Sequence, residues 1–444
     1  MKEKILFFLF LVLLGSVTFS FGCRSENPGI TFILGGAPND MTFFDGVLQD
    51  FTAKTGIKAT LIRQPADSAQ RKQGILLALR GRQSEPDVMM LDVGWIGQIA
   101  ASDWLEPLDG YGIDSSVYFK RVIELADTYD GRLIGLPLYI DGGLLYYRRD
   151  LLEKYGFSAP PQTWDELRQM SETVMEGERK ANGNFWGYVW QGAQYEGLSC
   201  NALEFFTSAD GGIFVGTATP AIDQPANLKA LKFMCALLKE KPISPPNTFT
   251  DMKEEEVRQM FHNGNALFQR NWPYVWALHN ASDSPIKGKV GIAPLPGFVA
   301  GKGASTLGGW HLAVSKFSDK KKESVELIKY LTSPEIQKIL ALQLGWNPAR
   351  MDAYEDADLL GANPALKDLK KVFEGAVPRP VIPYYSGISQ ILQKHLSAAL
   401  AGRVSPDDAL KAAQGEAEQL ISSYGVKVEV SGKKHDGAVN NGIE

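Results

Sequence analysis

The sequence predicts an α/β fold built from discontinuous lobes, and three observations carry that expectation. Strand and helix patterns alternate from Ile30 to about Asp150, the pattern of a mostly parallel sheet with helices on both faces. Strand patterns then return late, after a long helical stretch. No internal repeat or low-complexity linker separates the parts. Lobes without a single linker must be joined by several short crossings, which is a hinge arrangement.

The elements follow in order. Met1-Lys2-Glu3-Lys4 precedes an uncharged run from Ile5 to Cys23 containing ILFFLFLVLL. A basic start and a short apolar block describe a secretory signal peptide over residues 1–22, with a retained membrane anchor as the alternative. Cys23 closes the block and resembles the lipidation site of bacterial lipoproteins. Gly22 before it fits, although that motif usually has Leu three residues before the cysteine and a small residue two before. Ordinary cleavage near Gly22 is the other reading.

ITFIL at Ile30–Leu34 reads as a strand stopped by Gly35-Gly36-Ala37-Pro38. Phe43, Phe44, Val47, Leu48 and Phe51 then recur at helical spacing within residues 41–54, and Gly56 ends that helix. IKATLIRQ is a second strand, Gln70–Arg80 a second helix, and DVMMLDV a buried strand. From Leu151 to about Lys241 helices dominate, among them Trp164–Met175 capped by Thr163, with a loop-rich aromatic insert at 182–200. Strands return at Ala266–Phe268, Lys289–Ala293 and Trp310–Val314, and beyond Lys320 the chain reads as mainly helical. Residues after about Tyr424 are rich in Gly, Asn and Lys and read as a disordered tail over 426–444.

The composition narrows the function classes. The 444 residues are 44% hydrophobic and 22% charged, the balance of a globular protein rather than a disordered or disulfide-scaffold chain. Lys and Arg number 46 against 51 Asp and Glu, a formal charge of −5, so no net basic field attracts nucleic acid. GxSxG, HExxH, GxxxxGK[ST] and GxGxxG are all missing, and the five histidines lack paired ligand spacing; neither a metal nor a cofactor is expected. Gly35-Gly36-Ala37 reads as a tight turn before it reads as a phosphate cradle. Cys200 and Cys235 form one disulfide or stay free and buried.

Acidic or amide groups instead recur beside aromatics at predicted strand ends: Asn39-Asp40, Asp92 before Trp95, Tyr139 with Asp141, Asn271-Trp272-Pro273-Tyr274, and Gly308-Gly309-Trp310. A sugar offers vicinal hydroxyls that donate to a carboxylate and a C–H face that lies on an aromatic ring. Charge-assisted hydrogen bonds contribute about 1.5–3 kcal/mol each. Plainer readings compete. Asp40 caps a helix, Asp92 and Asp141 are turn carboxylates, and Trp272 and Trp310 are core or lobe packing. Arg71 shares a solvated helix face with Lys72 and Arg80, and Lys320–Lys322 is solvated surface. Arg379, between prolines in VPRPVIP, is held on a rigid extended segment.

These residues lie in segments that resemble the extracellular solute-binding proteins of ABC sugar importers, most closely the trehalose/maltose-binding branch. The resemblance runs from about Ile30 to about Leu420 and rests on GGAPND, LDVGWIGQ, SDWLEPLD, YIDGGLLYYRRDLLEKYG, WQGAQYEGL, ISPPNT, RNWPYVWALHN, TLGGWH, LGWNP and VPRPVIPYY. It implies the two-lobed periplasmic-binding-protein fold, α/β with discontinuous lobes joined by hinge strands, and crossings near Tyr139–Gly143, Gly308–His311 and Arg350. One lobe combines 24–141 with 311–350, the other 142–310 with 351–425.

By the same resemblance, Asp40, Arg71 and Asp92 hold one glucosyl ring and Tyr139 and Asp141 stand at a crossing. Trp272 and Tyr274 form the stacking surface, Gly309 and Trp310 fill the cleft, and Arg379 reaches the sugar from the second lobe. Asp40 departs from the pattern, which has Glu. The implied activity is binding without chemistry. A trehalose- or maltose-like disaccharide bridges the lobes, and the closed monomer, exported and anchored to the membrane through Cys23, docks on the permease subunits. The rivals are another ligand (sucrose, another glucoside or a maltooligosaccharide), a glycoside hydrolase, and an adhesive surface lipoprotein.

Overall fold

A computed structural model describes residues 29–425, save 37, 66, 216–218 and 241. The expected signal peptide, Cys23, the tail over 426–444 and Ala37 of the glycine turn lie outside the described residues, as does the side chain of Asn39.

Two sheets organise the chain. The first contains β1 (Ile30–Gly35), β2 (Ala59–Gln64), β3 (Val88–Asp92), β4 (Leu136–Gly142) and β9 (Leu307–Val314) in the order β2-β1-β3-β9-β4. Strand β1 runs parallel to β2 and β3, whereas β9 is antiparallel to β3 and β4. The second contains β5 (Leu144–Arg148), β6 (Trp186–Val189), β7 (Ala266–Asn271) and β8 (Val290–Ala293) in the order β8-β5-β7-β6. Gly143 alone separates β4 from β5, so the chain passes from one sheet to the other within one residue. It returns to the first sheet through Ser305 and Thr306, which lead into β9.

The patterns that predicted these elements correspond to buried positions. All six residues of β1 are buried, as are Phe44, Val47, Leu48 and Phe51 of the helix Pro38–Thr55, giving one apolar stripe at helical spacing. That helix begins at Pro38, so Asp40 lies in its first turn rather than at the cap. Thr163 does cap the helix Trp164–Glu178: its hydroxyl accepts from the Glu166 amide at 3.1 Å, and Glu166 returns an acceptor to the Thr163 amide at 3.2 Å.

The stretch 182–200 is loop-rich as expected, and it also holds β6 and the first turn of the helix Glu196–Ser208. Eleven of that helix's thirteen residues are buried, so it lacks the polar face that marks a helix in sequence. Arg71 does not sit on a solvated face but is 8% exposed. Cys200 and Cys235 are both free thiols, and both are buried.

Candidate functional site

The site grows from strand ends of the first sheet. Asp92 ends β3, Tyr139 and Asp141 lie near the end of β4, and Gly308-Gly309-Trp310 open β9. Antiparallel register sets Trp310 opposite Asp92 on one side and opposite Tyr139 on the other, with Gly308 opposite Asp141. Three of the five predicted groups, those of Asp92, Tyr139 with Asp141, and Gly308-Gly309-Trp310, therefore form one contiguous patch, produced by β9 lying between β3 and β4.

Trp310 is half-buried. The Arg71 guanidinium lies 4.0 Å from its ring centroid, and Trp95 meets it edge-on at 5.3 Å. Arg71 also donates to the Gly35 carbonyl at 2.8 Å, with its ring contact a cation–π interaction. Burial lowers the Arg71 pKa, against the pull of Tyr139, Asp92, Asp67 and Asp40. The Asp40 carboxylate lies beside Gly36, where a Cβ would stand 2.7 Å from its Oδ2, and it acts on the Arg71 charge.

Asp92 has two jobs. It caps the helix Val93–Ala101, accepting from the Gly94 amide at 2.8 Å, and it pairs with Arg379 at 2.9 Å. The Arg379 guanidinium also pairs with Glu196 at 3.1 Å, and Glu196 accepts from Tyr385 at 2.7 Å and from Ser389 at 2.5 Å. Although burial opposes the Arg379 charge, the neighbouring Asp92 and Glu196 hold its proton more firmly than usual. The arginine thus ties β3 of the first sheet to the start of the helix Glu196–Ser208. Lys72 adds a bond to Ser386, and Lys253 stands 3.9 Å from Asp67.

Asp141 is buried beside Asn347, and burial pushes its carboxyl up to about 8 even though the neighbouring Asn347 and the Arg270 charge pull it down. Tyr139 stacks on Trp346 at 4.2 Å with a 35° tilt. Trp272 lies against the β9 glycines: a Cβ on Gly308 would be 2.8 Å from Trp272 Cζ3 and 3.1 Å from Asp141 Cβ. The Trp272 indole also donates to Glu254 at 3.4 Å. Tyr274 turns its hydroxyl to Glu255 at 2.7 Å while its ring packs on the same apolar cluster as Tyr139 and Trp310.

Gly309 has φ +121°, and a Cβ there would stand 2.5 Å from the Tyr139 carbonyl oxygen. Gly309→Ala is expected to cost about 1–3 kcal/mol through this backbone conformation alone, with the close contact adding to it. The check is a calorimetric melting temperature, several degrees lower in the variant; an unchanged value would mean that β9 relaxes freely around the new methyl.

The arrangement offers carboxylates, amides, cations and aromatic faces, and no group of His, Cys, Asp and Glu among the described residues is set to hold a metal ion. Sequence reasoning missed Glu196, Glu254, Trp346 and Asn347. Glu196, Trp346 and Asn347 do stand in the quoted segments WQGAQYEGL and LGWNP, so the signal was present without a partner to give it meaning.

Residues 35–338 match the family model for bacterial extracellular solute-binding proteins. A probable ABC transporter-binding protein of Deinococcus radiodurans is 36% identical over 409 residues, which span 91% of this chain and 94% of that protein. Among solved structures, maltose-bound MalE3 of T. maritima is 38% identical with a TM-score of 0.82, covering 88% of this chain and 99% of that one. An ABC transporter solute-binding protein of Thermotoga lettingae, bound with α-D-tagatose, is 27% identical with a TM-score of 0.80 over 88% of this chain and 99% of that one. The fold is the two-lobed α/β fold that the sequence predicted.

Proposed function

The chain belongs to the bacterial extracellular solute-binding proteins, and from that premise we propose that it captures an α-linked glucose disaccharide, trehalose or maltose, and delivers it to the membrane subunits of an ABC importer. The observation that carries this reading is the contiguous patch in which Asp92, Tyr139, Asp141 and Trp310 meet across three strands. Its carboxylates accept from sugar hydroxyls and its rings take the apolar face. The maltose bound to the T. maritima neighbour supports the choice of ligand.

Arg71 covers one face of Trp310 and Arg270 one face of Trp272; a stacked sugar takes the other face of each. Asp40, Tyr274, Gly309 and Arg379 complete the proposed set. The lobes of the proposal are 24–141 with 311–350 and 142–310 with 351–425. A ligand touching both favours the closed state only through contacts that differ between open and closed forms. Export by the leader, anchoring at Cys23 and a monomeric state belong to the same proposal, in which the protein performs no catalysis.

The test is thermal unfolding of the chain from Arg24 onward against trehalose, maltose, sucrose, maltotriose, glucose and tagatose. A ligand at a hundred times its dissociation constant stabilises by about 2.7 kcal/mol, and each kcal/mol is worth about 2–4 °C for a domain of 150–250 residues. A shift of several degrees with trehalose or maltose is the expected result. A shift with tagatose alone would replace the disaccharide by a monosaccharide, and no shift with any sugar would remove the ligand claim.

A further inference from the structure

Beneath the Trp272 ring lies a fully buried ion pair that none of the proposed sugar contacts uses. Arg270 is 0% exposed and Glu204 2%. Arg270 Nη2 donates to Glu204 Oε1 at 2.5 Å and Nε to Oε2 at 3.0 Å, a two-pronged pairing. The guanidinium carbon stands 3.9 Å from the Trp272 ring centroid. Its third nitrogen, Nη1, donates to Gln191 Oε1 at 3.4 Å. Burial opposes the Arg270 charge, but Glu204 more than offsets it and raises its pKa.

The same pair touches the segments that join the two sheets. Glu204 Oε1 also accepts from the Thr306 amide at 3.1 Å, on the segment leading into β9. A Cβ on Gly143 would stand 2.0 Å from Glu204 Oε1 and 2.5 Å from Arg270 Nη2, so the β4–β5 crossing packs its bare backbone on the pair. Ser305 Oγ donates to the Gly143 carbonyl at 2.8 Å, tying the two crossings together. Val377, two residues before Arg379, donates its amide to the Ser305 carbonyl at 2.8 Å and accepts from the Leu307 amide at 2.8 Å. Two of the links between the sheets therefore converge on one carboxylate and one guanidinium, and that guanidinium backs the Trp272 ring.

We propose that the Glu204–Arg270 pair is a positioning element that fixes the Trp272 ring relative to the interlobe crossings, so that what stacks on the ring and the angle between the lobes are mechanically linked. A planar, fully hydrogen-bonded fork suits this task better than a flexible ammonium, and a charge in dry surroundings holds an aromatic face more strongly than one in water. The inference rests on the sugar-binding reading for its affinity effect and stands without it for its effect on the crossings.

The experiment replaces both partners at once, Glu204→Leu with Arg270→Met, because removing one leaves an uncompensated buried charge whereas an apolar pair of similar volume is often tolerated. Spin labels on Leu77→Cys and Val299→Cys, 73% and 54% exposed, report the distance between the lobes. Expected are a folded protein whose melting temperature falls by a few degrees because the Thr306 amide loses its acceptor, a distance distribution without sugar clearly broader than wild type, and maltose and trehalose affinities weakened about tenfold or more. An unchanged distribution overturns the inference whether or not any sugar binds. A broadened distribution with wild-type affinity overturns the link to the ring. A wild-type protein that ignores both sugars sinks the ligand reading and leaves the distance measurement to decide this one. Should the double variant fail to fold, Arg270→Lys keeps the charge without the fork, and the same broadening and weakening, smaller in size, are expected of it.

Discussion

Arg379→Met is expected to lower the melting temperature by about 6–12 °C and to weaken sugar binding by at least about tenfold. Breaking a buried ion pair from one side costs about 3–5 kcal/mol because the surviving charges stay desolvated, and a kcal/mol corresponds to about 2–4 °C. The lower end applies here. Asp92 keeps the Gly94 amide as a donor, and Glu196 keeps Tyr385 and Ser389, so neither carboxylate is stranded. Glu196 is also 32% exposed and retains water. What does not recover is the geometry: one planar guanidinium satisfies carboxylates contributed by residues 287 and 183 positions away, and methionine leaves them facing each other across the junction. Arg379→Lys separates charge from shape. An ammonium restores the charge but not the fork that reaches both carboxylates, so an intermediate melting temperature is expected. A methionine variant that melts with the wild type would show that the two sides hold without this tie.

The contrast between what was legible and what was not follows from the range of the interactions. Elements whose stability is written in near neighbours were readable: the Phe44–Phe51 stripe, the Thr163 cap and the buried run of β3 all act within a few residues. The candidate residues were proposed as a set of types, carboxylates beside rings at strand ends, and β9 inserted between β3 and β4 brings Asp92, Tyr139, Asp141 and Trp310 of that set together. The start of the helix Glu196–Ser208 fell in the stretch read as loop-rich because a helix buried on all sides has no period of polarity to mark where it begins. Arg71 was misjudged for a related reason. Its helix neighbours are polar, but its partners are the Gly35 carbonyl and the Trp310 ring, supplied by strands far away in sequence. The Glu204–Arg270 pair joins residues 66 apart, and nothing local in either segment announces it.

Asp141 leads to the second large expected effect, a dependence on pH. Burial raises its carboxyl from an ordinary 3.8 to about 8, so between those values the folded protein holds a proton that the unfolded chain has released. Stability therefore falls as pH rises: the contribution is complete below about 4 and is lost as pH passes through about 8. Asp141→Asn keeps the shape and removes the titration, and its melting temperature should be flatter between pH 5 and 9 than that of the wild type, by the same linkage. Binding runs the other way. In the proposed complex, sugar hydroxyls donating to Asp141 favour its ionised form, which lowers its pKa below that of the free protein, so that capture is expected to release a proton. Affinity should then rise from pH 6 toward pH 8, by at most about tenfold per unit, and level off above that. Calorimetry in two buffers of different ionisation enthalpy would detect the released proton directly. In Asp141→Asn both the proton release and the pH dependence should vanish, along with part of the affinity at pH 8, because an amide offers one acceptor where the carboxylate offers two. A wild-type affinity that stays level from pH 6 to pH 9 would mean that Asp141 keeps its proton in the complex, and the hydroxyl pair would then have to be assigned to Asp92 or Asp40.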